Sequence, residues 1–311
     1  MNTILHSVAA EKRIALENIL YATDFSSASI AALPYVRGIA MQYGSKIHVL
    51  HVKEPASYAF VTPDMIPSVM EMQERLEQEQ VEQLHKVFAR IPHDVVFSED
   101  NLWSALDKTI SAKSIDLVVI GTNGRTGAAK MLLGSVAAEI LRRAECPVLT
   151  IGPHCRGSAK EHLEMGEILF ATDFSPESLA AAPYAISFAE EHQAELTLVN
   201  VIQESAGVEL VHPEQYIDSA WRMLRNLVPP EAELWCTPTC IVTRGAPAER
   251  ILRIAGERKP DLIVLGVKDV KKAMSVATHL SRATAQEVVA NAPCPVLTVR
   301  IPTHRCESRL Q

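Results

Sequence analysis

The chain repeats itself. Residues 19–52 and 168–201 align without a gap at an offset of 149, and 14 of the 34 positions are identical. Both stretches carry Ala-Thr-Asp-Phe-Ser, at 22–26 and at 171–175, and Pro34-Tyr35 matches Pro183-Tyr184. Two further blocks follow in the same order. DLVVIG at 116–121 answers DLIVLG at 261–266, and CPVLTI at 146–151 answers CPVLTV at 294–299. Self-similarity of this kind means one structural unit built twice. The expected layout is a first domain over 1–151, a linker over 152–165 with Pro153 and Gly157, a second domain over 166–300, and a tail over 301–311.

Each copy alternates short apolar runs with amphipathic stretches. The strand candidates lie near 18–23, 46–52, 94–98, 116–120 and 147–151, then near 167–172, 195–201, 239–243, 261–265 and 295–299. Runs that are apolar at consecutive positions suit strands covered on both faces, as in a parallel sheet. Helical stretches lie between them, at 27–43 and at 69–90, the second with Val69, Met72, Leu76, Leu84 and Phe88 in helical period. The pattern predicts an α/β fold: two tandem doubly wound domains, each a parallel sheet flanked by helices. Ligands on such sheets lie beyond the carboxyl ends of the strands, where strand order reverses.

Composition removes several classes. A chain of 311 residues, 48% hydrophobic and 22% charged, has the make-up of an ordinary globular protein. Its net charge of −7 argues against non-specific binding to nucleic acid or to an anionic membrane. No apolar run is long enough to span a bilayer. Residues 1–12 have no basic stretch ahead of an apolar one, so no secretory signal is expected. The six cysteines form no framework and are expected as reduced thiols in a cytoplasm.

One loop carries a chemical pattern. After the fourth strand of copy one come Gly121-Thr-Asn-Gly124, nine further residues, and Gly134-Ser135, with a helix expected over 136–144. Gly121 can take backbone angles closed to other residues, and Gly124 lets the backbone approach a ligand. The first N–H groups of a helix have no internal partner and, with the positive helix end, attract an anion. One such contact contributes only about 0.3–1 kcal/mol, so several amides and the Ser135 hydroxyl must act together. The spacing is neither G-x-x-x-x-G-K-[ST] nor G-x-G-x-x-G.

G-2x-G-9x-G-[ST] after the fourth strand, T-D-F-S after the first and C-P-V-L at the last make the chain similar to the universal stress protein family, in its tandem-domain form. The resemblance covers about 14–151 and 163–300. It implies five-stranded parallel sheets and binding of ATP, or of ADP or AMP, with or without Mg. Carried over by position, it sets Asp24 near ribose or adenine and Val52 against adenine. It sets Gly121, Gly124, Gly134, Ser135 and Val136 around ribose and phosphates, with Asn123 and Arg125 as weaker candidates. Asp24 also has a structural reading, because Asp and Ser before a helix are common caps, and copy two keeps Asp173.

Copy two departs from the pattern. Gly266 remains, but Asp269 stands in place of the second glycine. Counting forward puts His279-Leu280 at the Gly-Ser pair, and counting back from Cys294 puts Arg282-Ala283 there. Copy two is therefore expected not to hold a triphosphate in the family's manner. Lys268, Lys271 and Lys272 read as a solvated basic face.

Other residues suggest no chemistry. Cys236 and Cys240, His154-Cys155 and His304-x-Cys306 lack the paired spacing of a metal site, and no catalytic triad or carboxylate pair recurs. His48 and His51 on strand two are expected at a sheet edge or an interface. Pro147 and Pro295 suit the start of an edge strand, and an open edge invites another strand. The two copies are therefore expected to pair within the chain about a pseudo-two-fold axis, and a further homodimer of chains is left open.

Three functions compete. The first is a cytoplasmic stress-response protein binding an adenine nucleotide in copy one, with nucleotide modulating conformation or binding of an unknown protein partner. The second is a nucleotide-independent scaffold. The third is an enzyme on the same fold, for which turnover of about 1 per second or faster would be expected. With no evident base, at most weak ATP hydrolysis is expected.

Overall fold

The computed structural model describes residues 14–53, 62, 64–122, 133–155, 163–203, 213–267 and 282–301. All ten expected strands form. They are β1 Asn18–Ala22, β2 Lys46–Val52, β3 His93–Ser98, β4 Leu117–Gly121 and β5 Val148–Ile151, then β6 Glu167–Ala171, β7 Glu195–Ile202, β8 Thr239–Arg244, β9 Leu262–Gly266 and β10 Val296–Val299. The helices are α1 Ser27–Ile30, α2 Leu33–Tyr43, α3 Ile66–Val87, α4 Leu102–Lys113 and α5 Ser135–Arg143 in the first half. In the second they are α6 Pro176–Leu179, α7 Ala182–His192, α8 Pro213–Leu227, α9 Pro247–Arg258 and α10 Arg282–Asn291.

The ten strands form one sheet in the order β3-β2-β1-β4-β5-β10-β9-β6-β7-β8. Pairing is parallel within each half. At the centre β5 meets β10 antiparallel, with Leu149 opposite Leu297. The two halves therefore join as expected, through their last strands and about a pseudo-two-fold axis. Hydroxyls reinforce the joint reciprocally: Thr150 Oγ1 donates to Val296 O at 3.0 Å and Thr298 Oγ1 to Val148 O at 3.2 Å. Pro147 and Pro295 precede these strands and spend only their carbonyls, on Val118 N and Ile263 N. Replacing both threonines by valine is expected to cost about 1–3 kcal/mol, at about 1 kcal/mol per hydrogen bond. Urea unfolding of the double variant checks it.

Alternation along each strand sends neighbouring side chains to opposite faces. Ile19 and Tyr21 lie in one core and Leu20 in the other. Both cores run without a break from the first half into the second, so the halves share their apolar interior. The segment after β5 returns over the first half at Gly38, where a side chain would collide with Leu163.

Two expectations need correction. The helix expected over 27–43 is two, α1 and α2, divided at Ala31 and Ala32. Pro34 lies in the first turn of α2; inside one continuous helix its ring and missing N–H would break the ladder. Of the apolar stripe on α3, only Leu84, with Phe88 just after the helix, is fully buried, while Met72 is 63% and Leu76 47% exposed.

The histidines of β2 are not at an edge, because β2 lies between β1 and β3. Both are buried. His48 Nδ1 lies 2.8 Å from Asp94 Oδ1 and its Nε2 lies 3.2 Å from Asn18 Oδ1. Lys46 and Lys113 also approach Asp94, at 2.9 and 3.6 Å. Burial opposes ionisation of Asp94, but the bonds from Lys46 and His48 outweigh it and hold its carboxyl below the usual range. A lowered folded-state pKa contributes stability that is present above the unfolded value, about 3.9, and lost as pH falls through the folded one. Asp94→Asn is therefore expected to be less stable than the parent at pH 7. The gap should close below about pH 4, and midpoints measured across pH check it.

Candidate functional site

The T-D-F-S stretch is a turn that builds itself. Thr23 N donates to Leu50 O at 3.0 Å, which carries β1 one residue past its end. Thr23 Oγ1 accepts from Phe25 N at 3.0 Å, and Asp24 Oδ1 accepts from Ser26 N at 3.0 Å. Phe25 is left-handed, with φ of 59°. Ser26 then caps α1 by accepting from Ser29 N. The cap is thus Ser26, while Asp24 closes the turn ahead of it. Burial works against the Asp24 carboxylate, yet the bonds from Ser26 prevail and its pKa is lowered.

The second half repeats this turn. Asp173 Oδ1 accepts from Ser175 N at 2.9 Å, Phe174 has φ of 61°, and Ser175 caps α6. The motif therefore has a folding role in both halves, which explains why Asp173 persists where the downstream loop is lost.

Behind the turn of the first half lies an aromatic group that sequence reasoning missed. His51 Nδ1 donates to Thr23 O at 2.8 Å. Its ring lies 4.7 Å from that of Phe25 and 5.8 Å from that of Phe97. Only the β2–β3 register, which sets His51 beside Phe97, brings these residues together. Val52 ends β2 next to them and is half-buried. Lys53 Nζ is 2.7 Å from Glu77 and lies over Phe97, 5.3 Å from its ring centre.

Gly121 ends β4, and its backbone is not in the left-handed region. The reason for a glycine is proximity: a Cβ there would lie 2.6 Å from Ala28 O. Gly266 meets the same obstacle from Glu177 O in the second half. The angular freedom expected of Gly121 is therefore not what the fold uses.

The two ends of the glycine loop are brought together. Gly134 N donates to Thr122 O at 2.9 Å, and Thr122 N donates to Ile151 O at 3.0 Å. Gly134 is the N-cap of α5, with no side-chain cap and no acidic residue in the first turn. The ladder of α5 begins with Ala138 N donating to Gly134 O at 2.9 Å, so Ser135 and Val136, both exposed, have amides without an intrahelical partner. Thr122 Oγ1 is buried without a hydrogen-bond partner. Asn123, Gly124 and Arg125 lie outside the described residues.

In the second half Val267 stands at the place of Thr122, its amide donating to Val299 O at 2.8 Å. The hydroxyl is lost there, a difference that the motif alone does not mark. Helix α10 begins at Arg282. Lys268, Asp269, Lys271, Lys272, His279 and Leu280 lie outside the described residues.

The described cysteines are free thiols. Burial pushes Cys155 up to about 11, against the bond it accepts from the Gly152 amide. No group of three or more His, Cys, Asp and Glu that could hold a metal occurs among the described residues. No helix among them is long and apolar enough to cross a membrane.

Fold and site together define a tandem doubly wound α/β protein with a glycine-bounded loop at one switch point. The chain belongs to the universal stress protein family, whose model matches it twice, over residues 15–152 and 165–300. A universal stress protein of Methanocaldococcus jannaschii is 27% identical over 153 residues, covering 48% of this chain and 89% of its own. One of Thermus aquaticus is 33% identical over 139 residues, covering 43% of this chain and 97% of its own. These relatives match about half of this chain and nearly all of themselves. A universal stress protein from Archaeoglobus fulgidus matches across both halves. Its crystal structure has a TM-score of 0.65 at 20% identity and covers 91% of this chain and 98% of its own, a likeness of fold.

Proposed function

We propose that the first half binds an adenine nucleotide (ATP, or ADP or AMP, with or without Mg) and that occupancy sets the conformation or partner affinity of the whole chain. The observation that carries this reading is the bond from Gly134 N to Thr122 O. It holds the uncapped start of α5 beside the end of β4, and β4 lies against β1, where strand order reverses. An anion there meets the Ser135 and Val136 amides, the Ser135 hydroxyl and the positive end of α5. Gly124, with Asn123 and Arg125 as weaker candidates, is assigned to the phosphates by the resemblance alone, since these residues lie outside the described ones. Asp24, Val52 and Gly121 frame the nucleoside side at the ends of β1, β2 and β4.

Two features favour binding over turnover. Asp24 is engaged in its turn, and the His51 ring is buried and committed to Thr23 O. On this reading hydrolysis of bound ATP is at most weak. The role is that of a stress-response protein of the cytoplasm that switches on nucleotide.

Acid extraction of the purified protein followed by chromatography tests the reading. Adenine nucleotide is expected in the extract. None in the extract, together with no thermal shift at millimolar ATP, would favour the nucleotide-independent scaffold reading.

A further inference from the structure

At the amino end of the sheet, away from the glycine loop, two imidazoles meet. His85 is exposed in the last turn of α3, and His93 opens the edge strand β3. His85 Nδ1 lies 2.7 Å from His93 Nε2. We propose that this pair is a binding site for a divalent transition-metal ion of the zinc class, which ties the end of α3 to the edge of the sheet.

Hydrogen bonding aims the pair. His93 Nδ1 lies 2.7 Å from Ile91 O, a partner that can only accept. Nδ1 therefore carries the proton of the neutral ring, and Nε2 turns its lone pair to His85. A metal-bound histidine is commonly held in this way, its other nitrogen donating to a backbone carbonyl. The Phe88 ring, 5.7 Å from that of His93, fixes the ring further. In the Nε2–H tautomer of His85 both facing nitrogens have lone pairs, and a cation takes the place of the shared proton. Two Zn–N bonds of about 2.0–2.1 Å at a tetrahedral angle set the nitrogens about 3.3 Å apart, a small withdrawal for an exposed side chain. Water fills the remaining positions. Asp94 is no third ligand, because strand alternation turns it to the other face, where Lys46 and His48 engage it.

The repeated fold does not require the pair. The β2–β3 register sets Asp94 beside His48, and the β7–β8 register sets Thr239 beside Thr197. Pro238 therefore stands at the place of His93 in the second half. Within α3 only Leu84 is fully buried, so few contacts hold this long helix to the sheet. A metal that binds the assembled pair better than the separated histidines stabilises that contact by mass action. The inference is independent of nucleotide binding, because the glycine loop lies at the carboxyl end of the strands.

Titration of Zn²⁺ into the untagged full chain, with its histidine rings labelled with ¹⁵N, tests the site. Saturable shifts are expected at His85 Nδ1 and His93 Nε2, while His93 Nδ1 keeps its proton. Amide exchange over 81–87 is expected to slow with metal. His85→Asn removes one ligand from an exposed position. It is expected to weaken Zn²⁺ at His93 at least about tenfold, the lower bound for losing even an outer-shell partner, and to abolish the slowing of exchange. If that variant does not fold, the ring resonances of the parent protein still decide. Unmoved His85 and His93 rings at millimolar Zn²⁺, shifts at other histidines alone, or equal affinity in His85→Asn would overturn the proposal.

Discussion

Gly134→Asp is expected to lower ATP affinity at least about 100-fold, a change of about 2.7 kcal/mol, without lowering the stability of the protein. Gly134 has φ of −57° and ψ of 148°, angles open to any residue. Aspartate is a favoured N-cap, so the helix gains a partner for its free amides. The same carboxylate occupies those amides and sets a negative charge where a phosphate would lie. Isothermal titration with ATP beside a thermal melt without it separates the two effects. A variant that melts no earlier but no longer binds is the expected pair of results. Retained affinity would mean that the start of α5 does not receive the phosphates.

Gly266→Val is expected to cost about 3 kcal/mol, near the upper end for overpacked sites, and to lower the melting midpoint by about 5 °C. Gly121→Val is expected to cost the same. The side chain would press on the backbone of Glu177 or Ala28 rather than on a flexible side chain. The parallel matters, because the two positions share this packing although only the first half keeps the glycine loop. A loss of stability at Gly121 but not at Gly266 would mean that the two halves use their glycines differently.

The strands and the tandem division were readable because apolar runs and repeated blocks are local signals. The joint between halves was readable as well, since proline at the start of the last strand left an edge to be paired. Where a residue sits within the sheet was not. His48 and His51 look misplaced in a strand until the register supplies Asp94, Asn18 and Thr23 O as partners. The exposed stripe of α3 shows the converse: helical period gives amphipathicity, but tertiary context decides whether a core lies beneath it.

At the candidate site, spacing marked Gly121, Gly134 and Ser135 as candidates because a loop motif is local in sequence. It gave Gly121 the wrong physical reason, since the approach of Ala28 is a tertiary fact. Asp24 was legible as a residue with two readings, and the turn it closes is present in both halves. Thr122 carried no signal of its own. Its meaning comes from comparing a buried, partnerless hydroxyl with Val267 at the matching place.

The most direct measurement is a two-dimensional amide NMR titration of the full chain with ATP. Saturating shifts at Gly121, Ser135 and Val136 are predicted, with Val267 and the start of α10 unmoved. Shifts confined to the second half, or no shift at millimolar ATP, would contradict the account.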